Sequence, residues 1–157
     1  MAENRPSLSS PPILLATWFG AGYAPKAPGT WGSLLAVPFA YGIYRAGGPV
    51  LLLACAALVL AIGVWATRIY MDRTGTHDPG PVVIDEVVGQ WIALAAVPPD
   101  WVYWGMAFGL FRFFDIVKPW PVDVLDSRVP GAWGVMLDDV MAGIYAALVV
   151  SAISQFV

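Results

Sequence analysis

The chain is 157 residues long, 59% hydrophobic and 12% charged, with a formal net charge of −3. A soluble domain carries about 25% charged residues, so the composition argues against an ordinary soluble fold and for a protein solvated by a bilayer. With no basic run and no interleaving of aromatic and basic residues, it also argues against a nucleic-acid partner.

The length suits one domain, read as residues 13–157 behind a flexible Ser- and Pro-rich tail, residues 1–12. Glu3 and Arg5 offset each other, so the start lacks the basic character of a cleaved signal peptide. The apolar stretch 13–22 is too short to span and is expected to lie at the interface or to fold back into the protein. Next, residues 24–33 (Ala-Pro-Lys-Ala-Pro-Gly-Thr-Trp-Gly-Ser) read as a stiff turn opening a helix, with Thr30 or Ser33 as the cap. Free N–H groups there, with Lys26 close by, would suit a phosphate, although Pro-Gly-Thr is also an ordinary turn into a helix.

Apolar segments follow at 33–44, 49–67, 82–97, 101–117 and 135–157. The second and last are long enough to cross a hydrocarbon core, while the first and third are short and would be tilted or partial. The expectation is therefore an all-α integral membrane bundle of four to five transmembrane or partly inserted helices. Cys55, alone in the 51–64 run, is a packing residue without a disulfide partner. His77, in Thr-Gly-Thr-His-Asp-Pro-Gly, reads as a solvated loop residue or a catalytic acid or base; its role and that of Asp78 stay open.

With the amino terminus in the cytoplasm and five crossings, Arg5, Lys26, Arg68, Arg73, Arg112, Lys118 and Arg128 fall inside and Arg45 outside, the positive-inside pattern. The acids segregate alike, with Asp72, Asp78, Asp85, Glu86, Asp115, Asp123, Asp126, Asp138 and Asp139 inside and Asp100 outside. Trp91, Trp101, Tyr103, Trp104, Trp120 and Trp133 suit interfacial anchoring.

Asp85, Glu86, Asp115, Asp138 and Asp139 are each embedded in apolar sequence. A carboxylate at mid-helix in a bilayer costs about 2.5–3.5 kcal/mol, so each needs a partner. One solution is ion pairing with Arg112, Lys118, Arg68 or Arg128; the other is a shared divalent cation, for which hard oxygen ligands favour Mg²⁺. Adjacent acids diverge by about 100° on a helix, so one of each pair should dominate. Asp85 and Asp139 are preferred as ligands because Gly89 and Gly143 lie one turn beyond them on the same face, where small residues allow helices to approach. Glu86 and Asp138 are then second ligands, a base or supporting groups. Arg112, Asp115 and Lys118 form one stripe up to Pro119, either a phosphate grip around a metal-binding or nucleophilic acid, or a helix-end ion pair.

Together, Pro-Lys-Ala-Pro-Gly-Thr-Trp-Gly-Ser, Ile-Asp-Glu-Val-Val-Gly-Gln-Trp-Ile, Phe-Arg-Phe-Phe-Asp-Ile-Val-Lys-Pro-Trp-Pro and Gly-Val-Met-Leu-Asp-Asp-Val-Met-Ala-Gly resemble, over about residues 14–148, the phosphatidylglycerophosphatase A family. The resemblance implies an all-helical, Mg²⁺-dependent phosphomonoesterase of bacterial phospholipid synthesis, multi-pass in the inner membrane with its site toward the cytoplasm, converting phosphatidylglycerophosphate to phosphatidylglycerol. It implies Asp85, Glu86, Asp115 and Asp139 as catalytic candidates, Asp85, Glu86, Asp138 and Asp139 as metal candidates, and Lys26, Thr30, Arg112 and Lys118 on the phosphate side. A carboxylate-held Mg²⁺ would polarise the phosphoryl group and orient the attacking water. A homodimer is compatible with the sequence but not required by it. The sequence disfavours two other classes. A transporter would need polar residues through the whole thickness, whereas 51–57 and 146–153 are almost wholly apolar, and a CDP-alcohol phosphatidyltransferase would need an Asp-Gly-x2-Ala-Arg element that the sequence lacks.

Overall fold

A computed structural model describes residues 5–156. Among these residues every regular element is helical: α1 (Pro11–Ala16), α2 (Pro28–Thr74), α3 (Ile84–Ala95), α4 (Trp101–Val117), α5 (Val122–Arg128) and α6 (Gly131–Ser154), with a 3-10 turn at Ala21–Tyr23. By length and hydropathy two of them, α2 and α6, could cross a membrane. Residues 1–4 of the expected tail and residue 157 of the last expected segment lie outside the described residues. The remainder of the tail is tied down at Arg5, whose Nη1 donates to the Tyr23 carbonyl at 3.1 Å, and at Ser10, whose Oγ accepts from Arg73 Nη1 at 2.8 Å.

The short apolar stretch folds back into the protein. Ile13 and Ala16 are fully buried, and the Val83 N–H donates to the Ala16 carbonyl at 2.9 Å.

Helix α2 is two arms rather than one rod. Gly47 and Gly48 leave helical geometry, Gly48 at φ +69°, ψ −165°, a region essentially reserved for glycine. On one arm Gly32 abuts Val83; on the other Gly63 abuts Ile84. Since Val83 and Ile84 are neighbours, the arms must run back beside each other, and the expected segments 33–44 and 49–67 are the two sides of one hairpin. The helix begins at Pro28, five positions before the expected segment, because Pro at the first helical position lacks only an N–H that has no partner there anyway. Neither Thr30 nor Ser33 caps it: the flanking residue is Ala27, in a left-handed conformation, and Ser33 Oγ donates to the Gly29 carbonyl at 3.0 Å instead.

Helix α3 is the central helix. It has 12 residues and nearly all are buried, packed against α2, α4 and α6, so its apolar sequence reflects protein packing on every side and not a short span facing lipid. The α3–α6 crossing is made by glycines: a Cβ added at Gly89 would sit 2.5 Å from the Asp139 carbonyl oxygen, and one at Gly143 would sit 2.9 Å from the Gly89 Cα. The expected role of these glycines as close-approach residues is what the backbones show. Helix α4 starts at Asp100, whose carboxylate accepts from the Val102 N–H at 2.9 Å, and stops at Lys118, left-handed at φ +48°, immediately before Pro119.

Leu53, Leu58, Val50, Leu34, Ile144 and Leu148 are exposed on the outer faces of α2 and α6. Tyr103 is half-buried, and Trp101, Trp120 and Trp133 are exposed. Trp91 and Trp104 are not: both are buried, with Trp91 Nε1 donating to the Ala36 carbonyl at 2.9 Å and Trp104 ringed by Tyr41 and Tyr44. They are core residues, because the hairpin of α2 covers the face they share.

Candidate active site

The acids converge at one end of the bundle. Helix α3 presents Asp85 and Glu86 in its first turn, where carboxylates also complement the helix dipole. Helix α4 brings Arg112 and Asp115 in its last turns, α5 brings Asp126, and α6 crosses at Gly89 so that Asp138 and Asp139 face α3. With the 78–82 loop the carboxylates enclose a pocket of about 130 Å³ lined by Asp78, Asp85, Glu86, Asp115, Lys118, Asp126, Asp138 and Asp139, while Arg112 stands behind Glu86 and Asp115 and does not line it.

Carboxylate oxygens of Asp85, Glu86 and Asp139 all lie within 4.8 Å of one another. Three carboxylates so close repel strongly in a low-dielectric surrounding. Moreover, Glu86 Oε2 and Asp139 Oδ2 are buried and have no hydrogen-bond partner. Orphaned anionic oxygens converging on one point are what an oxygen-liganded divalent cation would satisfy, so the donor set fits Mg²⁺ and comes from Asp85, Glu86 and Asp139. Asp138 stands apart from this trio: its Oδ2 accepts from Lys118 Nζ at 2.9 Å and its Oδ1 from the Asp139 N–H at 2.9 Å. Adjacent residues on α6 thus take different tasks, as the 100° divergence requires.

The cations form two groups. Arg112 Nη1 hydrogen-bonds Asp115 Oδ2, three residues on, and approaches Glu86 Oε1 at 3.9 Å, while its Nε is buried without a partner. Lys118 Nζ is held between Asp126 Oδ1 and Asp138 Oδ2, both at 2.9 Å. Burial alone would lower the Lys118 pKa; the hydrogen bonds from Asp126 and Asp138 outweigh it and hold the ammonium above the ordinary lysine value. The ion-pair solution therefore describes Arg112–Asp115, Lys118–Asp126 and Lys118–Asp138, with a long pair from Arg112 to Glu86 at 3.9 Å, while Asp85, Glu86 and Asp139 still face one another.

The amino end of α2 abuts the same cluster through Gly29, where an added Cβ would overlap Glu86 Oε1 and lie 3.2 Å from Arg112 Nη1. Thr30 is half-buried one residue further, and Lys26 is exposed before the helix. His77 is exposed in the loop and does not line the pocket; its neighbour Asp78 does. Gly29 and Asp126 are site residues that the sequence does not single out. Asp126 reaches Lys118 only because the chain reverses at Pro119–Pro121, which periodicity does not foretell; the signal for Gly29 was its place in the Pro-Gly-Thr turn beside Lys26.

Fold and site define a class: an all-helical protein, apolar on the outside, with carboxylates, a guanidinium and an ammonium gathered at one end in the composition of a phosphate-ester hydrolase. The sequence model of the family described as Phosphatidylglycerophosphatase A matches residues 14–154. A Haemophilus influenzae protein named phosphatidylglycerophosphatase A is 42% identical over 99% of each chain, and an Escherichia coli protein of that name is 40% identical over 94% of this chain and 86% of its own. A Bacteroides thetaiotaomicron protein, provisionally named phosphatidylinositol-3-phosphatase, is 43% identical over 94% of this chain and 95% of its own. No solved structure matches the chain. The chain belongs to the phosphatidylglycerophosphatase A family and is a phosphatase.

Proposed function

We propose that this protein hydrolyses the terminal phosphate monoester of phosphatidylglycerophosphate, yielding phosphatidylglycerol and phosphate, at the cytoplasmic face of a bacterial inner membrane and with Mg²⁺. Family membership supports the substrate, and the observation that carries the chemistry is the trio Asp85, Glu86 and Asp139, whose oxygens lie within 4.8 Å, two of them buried and unpartnered. The Mg²⁺ they would hold supplies positive charge against the phosphoryl oxygens.

Arg112 and Lys118 are the phosphate-side cations, each pre-set by a carboxylate: Asp115 aims the guanidinium, and Asp138 with Asp126 fixes the ammonium. Such pre-organisation favours the transition state because no reorientation is needed as charge develops. Glu86 Oε2 or Asp139 Oδ2, both buried and unpartnered, accepts the proton of the attacking water as the phosphorus–oxygen bond to the glycerol breaks, and that proton passes to the departing glycerol oxygen. At the start of α2, where the Thr30 and Trp31 N–H groups already donate to the Ala27 carbonyl, the Gly29 N–H and the Thr30 hydroxyl are the groups that would serve the phosphate, with Lys26 drawing the anion in. The exposed apolar flanks of α2 and α6 meet acyl chains, leaving the headgroup at the depth of the pocket. The segregation of Arg45 and Asp100 to the far end supports inward orientation of the acid end, since Tyr44, beside Arg45, meets Trp104, four residues past Asp100, with ring centroids 6.0 Å apart.

Phosphate release by purified protein in detergent, with Mg²⁺ or with chelator and beside Asp85→Asn, tests this. Metal-dependent release that fails in the variant is expected. A folded wild type that releases no phosphate from this lipid would refute the assignment.

A further inference from the structure

The acid pocket is not the largest cavity at this end of the bundle. Across the 78–80 loop, which lines both, lies a cavity of about 290 Å³ walled by the close of α2, the loop and the amino-terminal segment, with Arg5, Arg73, Thr74 and Thr76 in its lining. Its character is opposite. Asp78 is its one carboxylate against two guanidinium groups, and among the described residues neither Arg5 nor Arg73 takes part in an ion pair. Each guanidinium is nonetheless oriented: Arg73 Nη1 donates to Ser10 Oγ at 2.8 Å, and Arg5 Nη1 donates to the Tyr23 carbonyl at 3.1 Å with its Cζ 5.3 Å from the centroid of the Tyr23 ring. Those contacts use one N–H of the five in each fork.

The substrate of the proposed reaction carries two phosphates, the monoester that is cleaved and the phosphodiester that is kept. The acid pocket is a poor place for the second. Its walls are carboxylates with Lys118 as the cation in its lining, and an uncompensated second anion there would be repelled. We propose that the cavity of Arg5 and Arg73 is a phosphodiester subsite that holds the retained phosphate of the lipid while the monoester lies in the acid pocket. The inference rests on the substrate proposed above. Arg73 and Arg5 are in this account positioning and specificity residues, and the loop through Asp78 and Gly80 is the divider between the two phosphates. Guanidinium forks suit this task because they bind phosphate oxygens in pairs and stay charged at any physiological pH.

The test is steady-state kinetics in a neutral detergent containing no other phospholipid, so that the substrate supplies the only phosphodiester, for wild type, Arg73→Gln, Arg5→Gln and Ser10→Ala. Loss of a charge-assisted contact made equally before and during the reaction raises KM with little change in kcat. Arg73→Gln is expected to raise KM about tenfold, the scale of one such hydrogen bond, with kcat within about twofold. Added phosphatidylglycerol, which carries only the diester, should inhibit the wild type more strongly than Arg73→Gln. Ser10→Ala loosens the guanidinium but keeps its charge, so a rise in KM clearly smaller than that of Arg73→Gln is expected; if it reproduces the full Arg73→Gln defect, the tie and not the charge is what matters, and the proposal fails. It fails also if KM and product inhibition are unchanged in both arginine variants of an active enzyme. A wild type inactive on this lipid would instead overturn the substrate reading itself.

Discussion

Replacing Gly89 by Ala probes the link between backbone packing and chemistry most directly. The added Cβ would sit 2.5 Å from the carbonyl oxygen of Asp139, against an ordinary contact of at least 3.4 Å, so α6 must retreat by about 0.9 Å at the residue that carries the carboxylate. The Phe111 ring closes the other side, which leaves little room for the Cβ to swing away. Overpacking of this kind costs about 1–3 kcal/mol of stability. A displacement near 1 Å at a catalytic group costs about 10²-fold in rate. Gly89→Ala is therefore expected to lower phosphate release by about two orders of magnitude while the protein still folds. Gly143→Ala, pressing on Gly89 from the other helix, should behave alike. The control is Gly105→Ala on α4, where an added Cβ meets nothing within 4 Å; it should keep full activity and gain up to about 1 kcal/mol of helix propensity. Rates and thermal unfolding in detergent would be measured on all three. If Gly89→Ala retains activity within twofold, or Gly105→Ala falls as far, the glycine crossing does not set the site geometry.

Two further outcomes follow from the same charges. Because Asp85, Glu86 and Asp139 repel when no cation is shared, Mg²⁺ should raise the thermal midpoint by linkage, about 2.7 kcal/mol at a hundred times its dissociation constant, and Asp139→Asn should blunt the shift; equal shifts in both proteins would remove the trio as the metal site. Lys118 has its folded-state pKa raised, so its ion pairs with Asp126 and Asp138 are at full strength below the unfolded lysine value of about 10.4 and are lost only as pH rises through the higher folded value. The difference in thermal midpoint between wild type and the double variant Lys118→Met, Asp138→Asn, which leaves no buried carboxylate without its cation, should accordingly stay constant from about pH 7 to 9. A difference that shrinks over that interval would show that the ammonium is not held in its charged form.

Much of the site was legible in the sequence, because carboxylates in apolar helices are costly enough to demand a shared purpose. Asp85, Glu86, Asp115, Asp138, Asp139, Arg112 and Lys118 announced themselves by that argument, and Gly89 and Gly143 by their spacing from Asp85 and Asp139. The long apolar runs likewise pointed to an all-helical chain with an apolar exterior, since runs of that length suit helices and not the alternating pattern of barrel strands. What one-dimensional periodicity does not contain is how segments face each other. The reversal at Gly47–Gly48 joins two expected segments into a hairpin, α3 is apolar because protein surrounds it, and Trp91 and Trp104 are core because that hairpin covers them. The same holds within the site. Only the angle at which α4, α5 and α6 meet decides that Asp138 and Asp126 hold Lys118 while Asp139 joins Asp85 and Glu86, because hydrogen bonds of 2.9 Å are set by positions in space that spacing along the chain leaves undetermined.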